Sequence, residues 1–415
     1  MNRGGSCRRW AAVALGAVVL TSTACGTGIG GGGGGGGGAT LTPVVLVGNA
    51  VSGTVSFIDP ATDKTLGSFN IIPDLKTVLA NMTVGQQLNY AIANADEATV
   101  DPAVGGNRFV DDMALSPAGT TLYVSRANLA DVAAFNLLTG QELWRVVLPS
   151  LHADHMALSP DGTQLVVSAT TASTAYILNT ADGTQAGTFA TGNYAHGNDY
   201  SANGLHIYNS SIGITALPYS LNSAKGPFLL TEADAKTFKI IRTWSFPYGI
   251  RPNLISADET TMWTDLSYLN GFEKYDLTTG TVLATVNQPY SPAAQALTQD
   301  QYPQNSAHHG IALSGDSSRI CDAGTIDDYT AIVSTATLKD QSFVNYPAKS
   351  IPYWTTTSAD GTECFVSLSG GNSLSVINYT TGQEVARIPV GSFPQRNRLG
   401  AVPASVLAIL SPSPG

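Results

Sequence analysis

Ala157-Leu-Ser-Pro-Asp-Gly-Thr-Gln-Leu-Val-Val-Ser168 decides the fold. It reads as a short strand, a Ser-Pro-Asp-Gly turn and a second apolar strand, because Pro and Gly at those offsets preset a tight reversal. The same hairpin recurs as Ala114-Leu-Ser-Pro-Ala-Gly-Thr-Thr-Leu-Tyr-Val-Ser125. Weaker copies stand at Tyr200–Ser210, Leu254–Asp265, Ala312–Ala323 and Thr356–Ser367. Their serines are Ser116, Ser159, Ser201, Ser256, Ser314 and Ser358, spaced 43, 42, 55, 58 and 44 residues apart.

A second hairpin follows each copy, with a turn near Thr-Gly or Asp-Gly between two strands. It occurs seven times, at Val55–Ile71, Ala133–Leu148, Ala175–Phe189, Leu229–Trp244, Phe272–Val286, Ala331–Val344 and Leu374–Val390. A period in the forties with four short strands per unit predicts an all-β chain, a β-propeller. The count of seven outer and six inner hairpins has a simple solution. Val44–Asn49 begins at the second strand of the first blade. The missing innermost strand comes from the other end of the chain, at about Arg398–Val402. A seven-bladed β-propeller closed by strands from both termini leaves no open edge between first and last blades.

The chain start reads as an export signal over residues 1–24. Arg3, Arg8 and Arg9 precede the apolar run Trp10–Leu20, and Ser22-Thr-Ala-Cys25 follows. The apolar run is too short to span a bilayer as a helix. Small residues before Cys25 resemble a bacterial lipobox, although Ser22 stands where Leu is usual. Lipidation of Cys25 is the favoured reading and ordinary cleavage near Ala24 the alternative. Nine consecutive glycines, Gly30–Gly38, then make residues 25–42 a tether. Residues 43–402 form the propeller and 403–415 a tail. The expected location is the bacterial cell envelope, with membrane attachment through the lipid alone.

Net charge is −10, and three of the twenty basic residues lie in the signal. An acidic chain without a basic cluster is a poor partner for nucleic acid or anionic lipid. Beyond Cys7 and Cys25, two cysteines remain, Cys321 and Cys364. They fall with opposite parity on the second strands of adjacent blades. That fits a disulfide between blades in an exported protein, or two buried thiols.

Gly53-Thr-Val-Ser-Phe-Ile-Asp-Pro-Ala-Thr62 and Asn372-Ser-Leu-Ser-Val-Ile-Asn-Tyr-Thr-Thr-Gly382 carry a resemblance to the YVTN-repeat, YncE-like propellers of the lactonase-like group. The naming tetrapeptide is degraded here to Leu122-Tyr-Val-Ser125. The resemblance covers residues 43–402 and implies seven blades. It also implies a group with sugar-lactone hydrolases, a streptogramin lyase and surface-layer proteins among its members, so it says little about activity.

Function is sought where the copies differ. The long insertions Pro73–Asn107, Ser211–Gly226 and Asn287–Ala307 all fall on one face of the disc, while the turns of the other face stay short. Five of the six histidines fall on the same side, and His206, within a strand, reads as structural. Five positions before each repeat serine stand Asp111, Asp154, His196, Arg251, His309 and Tyr353, with Gln395 added by analogy from the C-terminal strand. The next position adds Asp112, His155, Trp354 and Arg396, and His152 and His308 lie alongside. These groups are expected to converge on the channel mouth.

Three readings of that ring stay open. Its members tie neighbouring blades together. Or they line a pocket for a small molecule, with Arg251 and Arg396 holding an anion and Tyr353 and Trp354 as walls. Or His155, His196 and His309, with Asp112 or Asp154, hold a divalent metal that activates water. An enzyme on this ring is a lactonase-like hydrolase or lyase, with one of the three histidines as base or ligand and Arg251 or Arg396 stabilising negative charge. The other alternative is a scaffold whose rim meets an envelope protein or glycan. A monomer is expected.

Overall fold

The computed structural model describes residues 40–99 and 104–410. The export signal, Cys25, the glycine run and residues 411–415 lie outside the described residues, whereas Leu41 and Thr42, read from the sequence as the end of the tether, belong to the first strand. Seven four-stranded antiparallel sheets follow one another in the chain. Six are local. In the first, strand Pro394–Pro403 pairs antiparallel with Leu41–Asn49, from Leu41 opposite Pro403 to Asn49 opposite Pro394. The ring is therefore closed by backbone hydrogen bonds between residues some 350 positions apart.

The repeated serine holds each inner turn together. In the turn of the third blade, Ser159 Oγ donates to Asp161 Oδ1 at 2.6 Å. It accepts from the amides of Thr163 and Gln164 at 3.1 and 3.0 Å. Ser256 and Ser358 repeat the whole pattern, and Ser116, Ser201 and Ser314 repeat the acceptor half on the fifth residue ahead. Gly162 closes the turn at φ 73°, where a side chain is strained, and a Cβ there would meet Pro117 of the preceding blade at 2.4 Å. One glycine thus serves both the turn and the packing between blades.

Middle strands are buried on both faces, so hydrophobic clusters form between blades rather than within them. One joins Val44, Leu46, Val55 and Phe57 of the first blade to Met113, Leu122, Val124 and Phe135 of the second. Another includes Cys321 and Cys364, which are joined as a disulfide across the sixth and seventh blades. The chain past Pro403 does not leave the ring at once. Ala404–Leu407 is a short helix with Val406 buried against the first-blade cluster.

The insertion Pro73–Asn107 holds two helices, α1 (Leu75–Ala80) and α2 (Val84–Glu97). Helix α2 starts at a capping box. Thr83 Oγ accepts the Gln86 amide while Gln86 Oε1 accepts the Thr83 amide. Its last turn lies over the channel mouth.

Candidate functional site

Innermost strands carry a repeated irregularity where the polar ring sits. In the third blade Ala153 pairs with Ala169 but Met156 with Val167, so one extra residue is inserted across Asp154 and His155. The fourth and fifth blades do the same across His196-Gly197 and Arg251-Pro252. The seventh blade skips Tyr353 and the first skips Gln395. A bulge re-aims side chains that a regular strand would send to alternate faces. Here it splits consecutive residues between two levels of the channel.

The upper level is a cavity of about 840 Å³, its open mouth included. All three insertions wall it. Ile92, Ala93, Asp96 and Glu97 come from α2, Thr215 and Ala216 from the second insertion, and Gln304 from the third. Its floor holds Asp111, His152, Asp154, His196, Arg251, Tyr353, Gln395 and Arg396. The lower level, about 880 Å³, is lined by His155, Asp199, Trp354 and Arg398 among others. His309 is buried between them, stacked on Tyr353 with ring centres 4.0 Å apart.

Two predicted members, His308 and Asp112, stand outside both levels. His308 is fully buried, with Nδ1 3.0 Å from Asp322, because neighbours on an extended chain point opposite ways. Asp112 is gripped by Arg398 at 2.6 and 2.9 Å. Trp354 faces the lower level, with the guanidinium carbons of Arg396 and Arg398 4.6 and 4.7 Å from its ring centre. His206, outside the mouth, pairs with Glu259 at 2.6 Å.

Electrostatics divide the floor. Arg396 lies 2.9 Å from Asp111 and 3.3 Å from Asp154. His152 Nε2 lies 3.0 Å from Asp111. Burial pulls the His152 pKa down, but the Asp111 hydrogen bond and the charges of Asp111, Asp154 and Glu97 together lift it to about 9. His155, His196 and His309 go the other way, held well below the usual imidazole value by burial and by nearby cations. His196 Nδ1 lies 2.9 Å from Asp154 Oδ2, and His309 Nδ1 3.1 Å from the Tyr353 carbonyl. A carbonyl only accepts, so His309 carries its proton on Nδ1 and its Nε2 has a bare lone pair. In the lower level, burial pushes Asp199 up to about 7 against the pull of Arg398.

Arg251 differs from Arg396. It is 1% exposed, and among the described residues no carboxylate lies within 4.0 Å of it. Its hydrogen bonds go to Ser267 Oγ at 3.1 Å and to the Gln304 carbonyl. Two acceptors leave part of a five-donor guanidinium for something in the cavity.

Glu97, Asp96, Tyr194, Thr170 and Arg398 also face these spaces, and the repeat alignment does not single them out. For Glu97 a signal exists in Thr83-Val-Gly-Gln86, a helix start followed by fifteen residues without Gly or Pro. Tyr194 and Thr170 have no comparable mark.

The fold defines a seven-bladed β-propeller with a walled cavity, charged at its floor, at one end of its channel. No protein-family model and no curated protein matches the sequence. Solved structures do resemble it. The hydrazine synthase of Kuenenia stuttgartiensis aligns with a TM-score of 0.54 at 14% identity, over 72% of this chain and 96% of that one. A chain of the mitotic checkpoint complex gives 0.52 at 15%, over 69% and 79%. A functionally unknown protein from Desulfotomaculum acetoxidans gives 0.50 at 16%, over 65% and 80%. At these identities the likeness is one of fold alone.

Proposed function

We propose that the mouth cavity binds a small organic anion, with Arg251 as its anchor. The observation that carries this is a buried guanidinium facing a cavity without a carboxylate partner. A buried unpaired charge costs several kcal/mol unless something compensates it. Ile92, Leu151, Ile212 and Tyr353 supply apolar walls for the rest of such a ligand. Calorimetry with benzoate and its neutral analogue benzamide isolates the charge. Benzoate is expected to bind more tightly than benzamide to the wild type. Arg251→Met should abolish the difference and Arg251→Lys should keep part of it. Equal benzoate affinity in wild type and Arg251→Met would retire the anion reading.

One observation favours a catalytic version, in line with the YVTN-type, lactonase-like resemblance. His196, in the cavity floor, is backed by Asp154 and held neutral by burial, which is the arrangement of a general base. Arg251 then stabilises charge developing on the substrate. A panel of lactones separates the versions. Turnover lost in His196→Asn supports catalysis, and no turnover by the wild type leaves binding alone. The surface-scaffold alternative has no comparable observation behind it.

Anchoring through Cys25 in the cell envelope is part of the proposal and rests on sequence. Among the described residues no helix is long and apolar enough to cross a membrane. A Cys25→Ser chain that still fractionates with membranes would remove the lipid anchor from this reading.

A further inference from the structure

The charged groups lining the mouth cavity sort into two sets. Most of the floor is satisfied from within. Asp111 holds His152 and Arg396. Asp154 holds His196, Thr170, Arg396 and the His155 amide. Asp154, His155 and His196 lie close enough to share an ion, but those contacts already use both Asp154 oxygens. Three charged groups remain: Arg251 in the floor, and Asp96 and Glu97 on the last turn of α2. Glu97 Oε2 stands 3.7 Å from Nε of the buried Arg108. Among the described residues, no cationic side chain lies within 4.0 Å of Asp96.

One residue joins the two ends of this second set. Gln304, on the third insertion, accepts from Arg251 at its carbonyl oxygen and donates from Nε2 to Asp96 Oδ2 at 3.4 Å. It does so at φ 47°, in the left-handed region that a residue with a side chain disfavours. From the carbonyl carbon through Cα, Cβ, Cγ and Cδ to Nε2, Gln304 is a five-carbon chain with an acceptor at one end and a donor at the other. Each end is neutral and meets a charge. A ligand end of opposite charge makes the stronger hydrogen bond at both places.

Resting on the anion reading, we propose that the mouth cavity takes a zwitterion, an ω-amino carboxylate. Its carboxylate replaces the Gln304 carbonyl on Arg251, and its ammonium replaces the Gln304 amide on Asp96. Gln304 is the internal stand-in for this ligand, and it sets the spacing, because 5-aminopentanoate has the same run of atoms. Ile92, Ala93 and Ile212 line the cavity and suit the methylenes between the two ends. Glu97 is the weaker partner for the ammonium, since burial raises its pKa and favours the neutral carboxyl.

The test is a calorimetric titration of the protein with the ω-amino acids from glycine to 6-aminohexanoate. The matching unaminated acids, acetate to hexanoate, are run beside them. Asp96 is exposed, so the ammonium should gain what a surface ion pair gives. 5-Aminopentanoate is expected to bind on the order of fivefold more tightly than pentanoate, with less gain for shorter and longer members. Asp96→Asn should remove the gain without weakening pentanoate, and Arg251→Met should weaken both. Gln304→Gly keeps the carbonyl and suits the positive φ while freeing Asp96, so the gain should grow. If no member of the series beats its unaminated parent while benzoate still beats benzamide, the anion site stands and the zwitterion falls. A full gain in Asp96→Asn, or a gain that shrinks in Gln304→Gly, would place the ammonium elsewhere and overturn the assignment.

Discussion

The two ends of each innermost strand carry polar residues in fixed register, and they use them in opposite ways. At the turn end, Ser159 spends its proton on Asp161 and its lone pairs on two backbone amides. Nothing there waits for a partner. At the mouth end of the same strand, Asp154 ties His196, Thr170 and Arg396 together, while the Nε2 atoms of His155 and His196 remain unpaired. The turn end is a fold device repeated six times. The mouth end varies from blade to blade and holds hydrogen-bonding capacity in reserve. In a repeat protein, that contrast separates what builds the ring from what the ring carries.

The largest effect should come from cutting the mouth end. Asp154→Ala leaves the His196 Nδ1 proton, the Thr170 hydroxyl and the His155 amide without their acceptor, in a site only 4% exposed. Arg396 retains Asp111, so the loss is expected near the lower end for a broken buried pair, about 3 kcal/mol. Denaturant unfolding measures it. A loss under about 1 kcal/mol would put Asp154 on a par with the turn residues and dissolve the contrast between the ends.

Much of the ring is legible in sequence because each blade repeats the same hairpin. Ser159 and its five counterparts fix the period, and the unpaired first outer hairpin places the closing strand, seen at Pro394–Pro403. The register of Asp111, Asp154, His196, Arg251, Tyr353 and Gln395 also survives, and these six line one cavity. Two things do not survive. The extra residue in the inner strands occurs at the same offset in most copies, so aligning the copies absorbs it. Simple alternation cannot then say that Asp154 faces up and His155 down. The roof over the mouth also comes from an insertion that exists once. Glu97 reaches the cavity from α2, and no second copy exists to reveal its register. His308 shows the cost of proximity in sequence, since one position along an extended chain turns its ring into a separate buried pocket beside Asp322.

The smaller effect belongs to the turn end, and it tests the contrast from the other side. Ser159→Ala removes an acceptor for the Thr163 and Gln164 amides and the donor to Asp161. Asp161 Oδ1 still accepts the Thr163 amide at 3.0 Å, and the turn lies near solvent, so water replaces part of the loss. Asp161 itself is held below the usual carboxylate pKa, first by the Ser159 hydroxyl and then by Thr163. Removing the hydroxyl should therefore let its pKa rise, a change that NMR titration of the side chain can follow. The stability cost should be about 1 kcal/mol, the worth of one net hydrogen bond, and similar for Ser256→Ala and Ser358→Ala. Benzoate binding should not change in any of the three. If a serine substitution at the far face altered it, the two ends would be coupled through the strand, and the division between scaffold and site would have to be withdrawn.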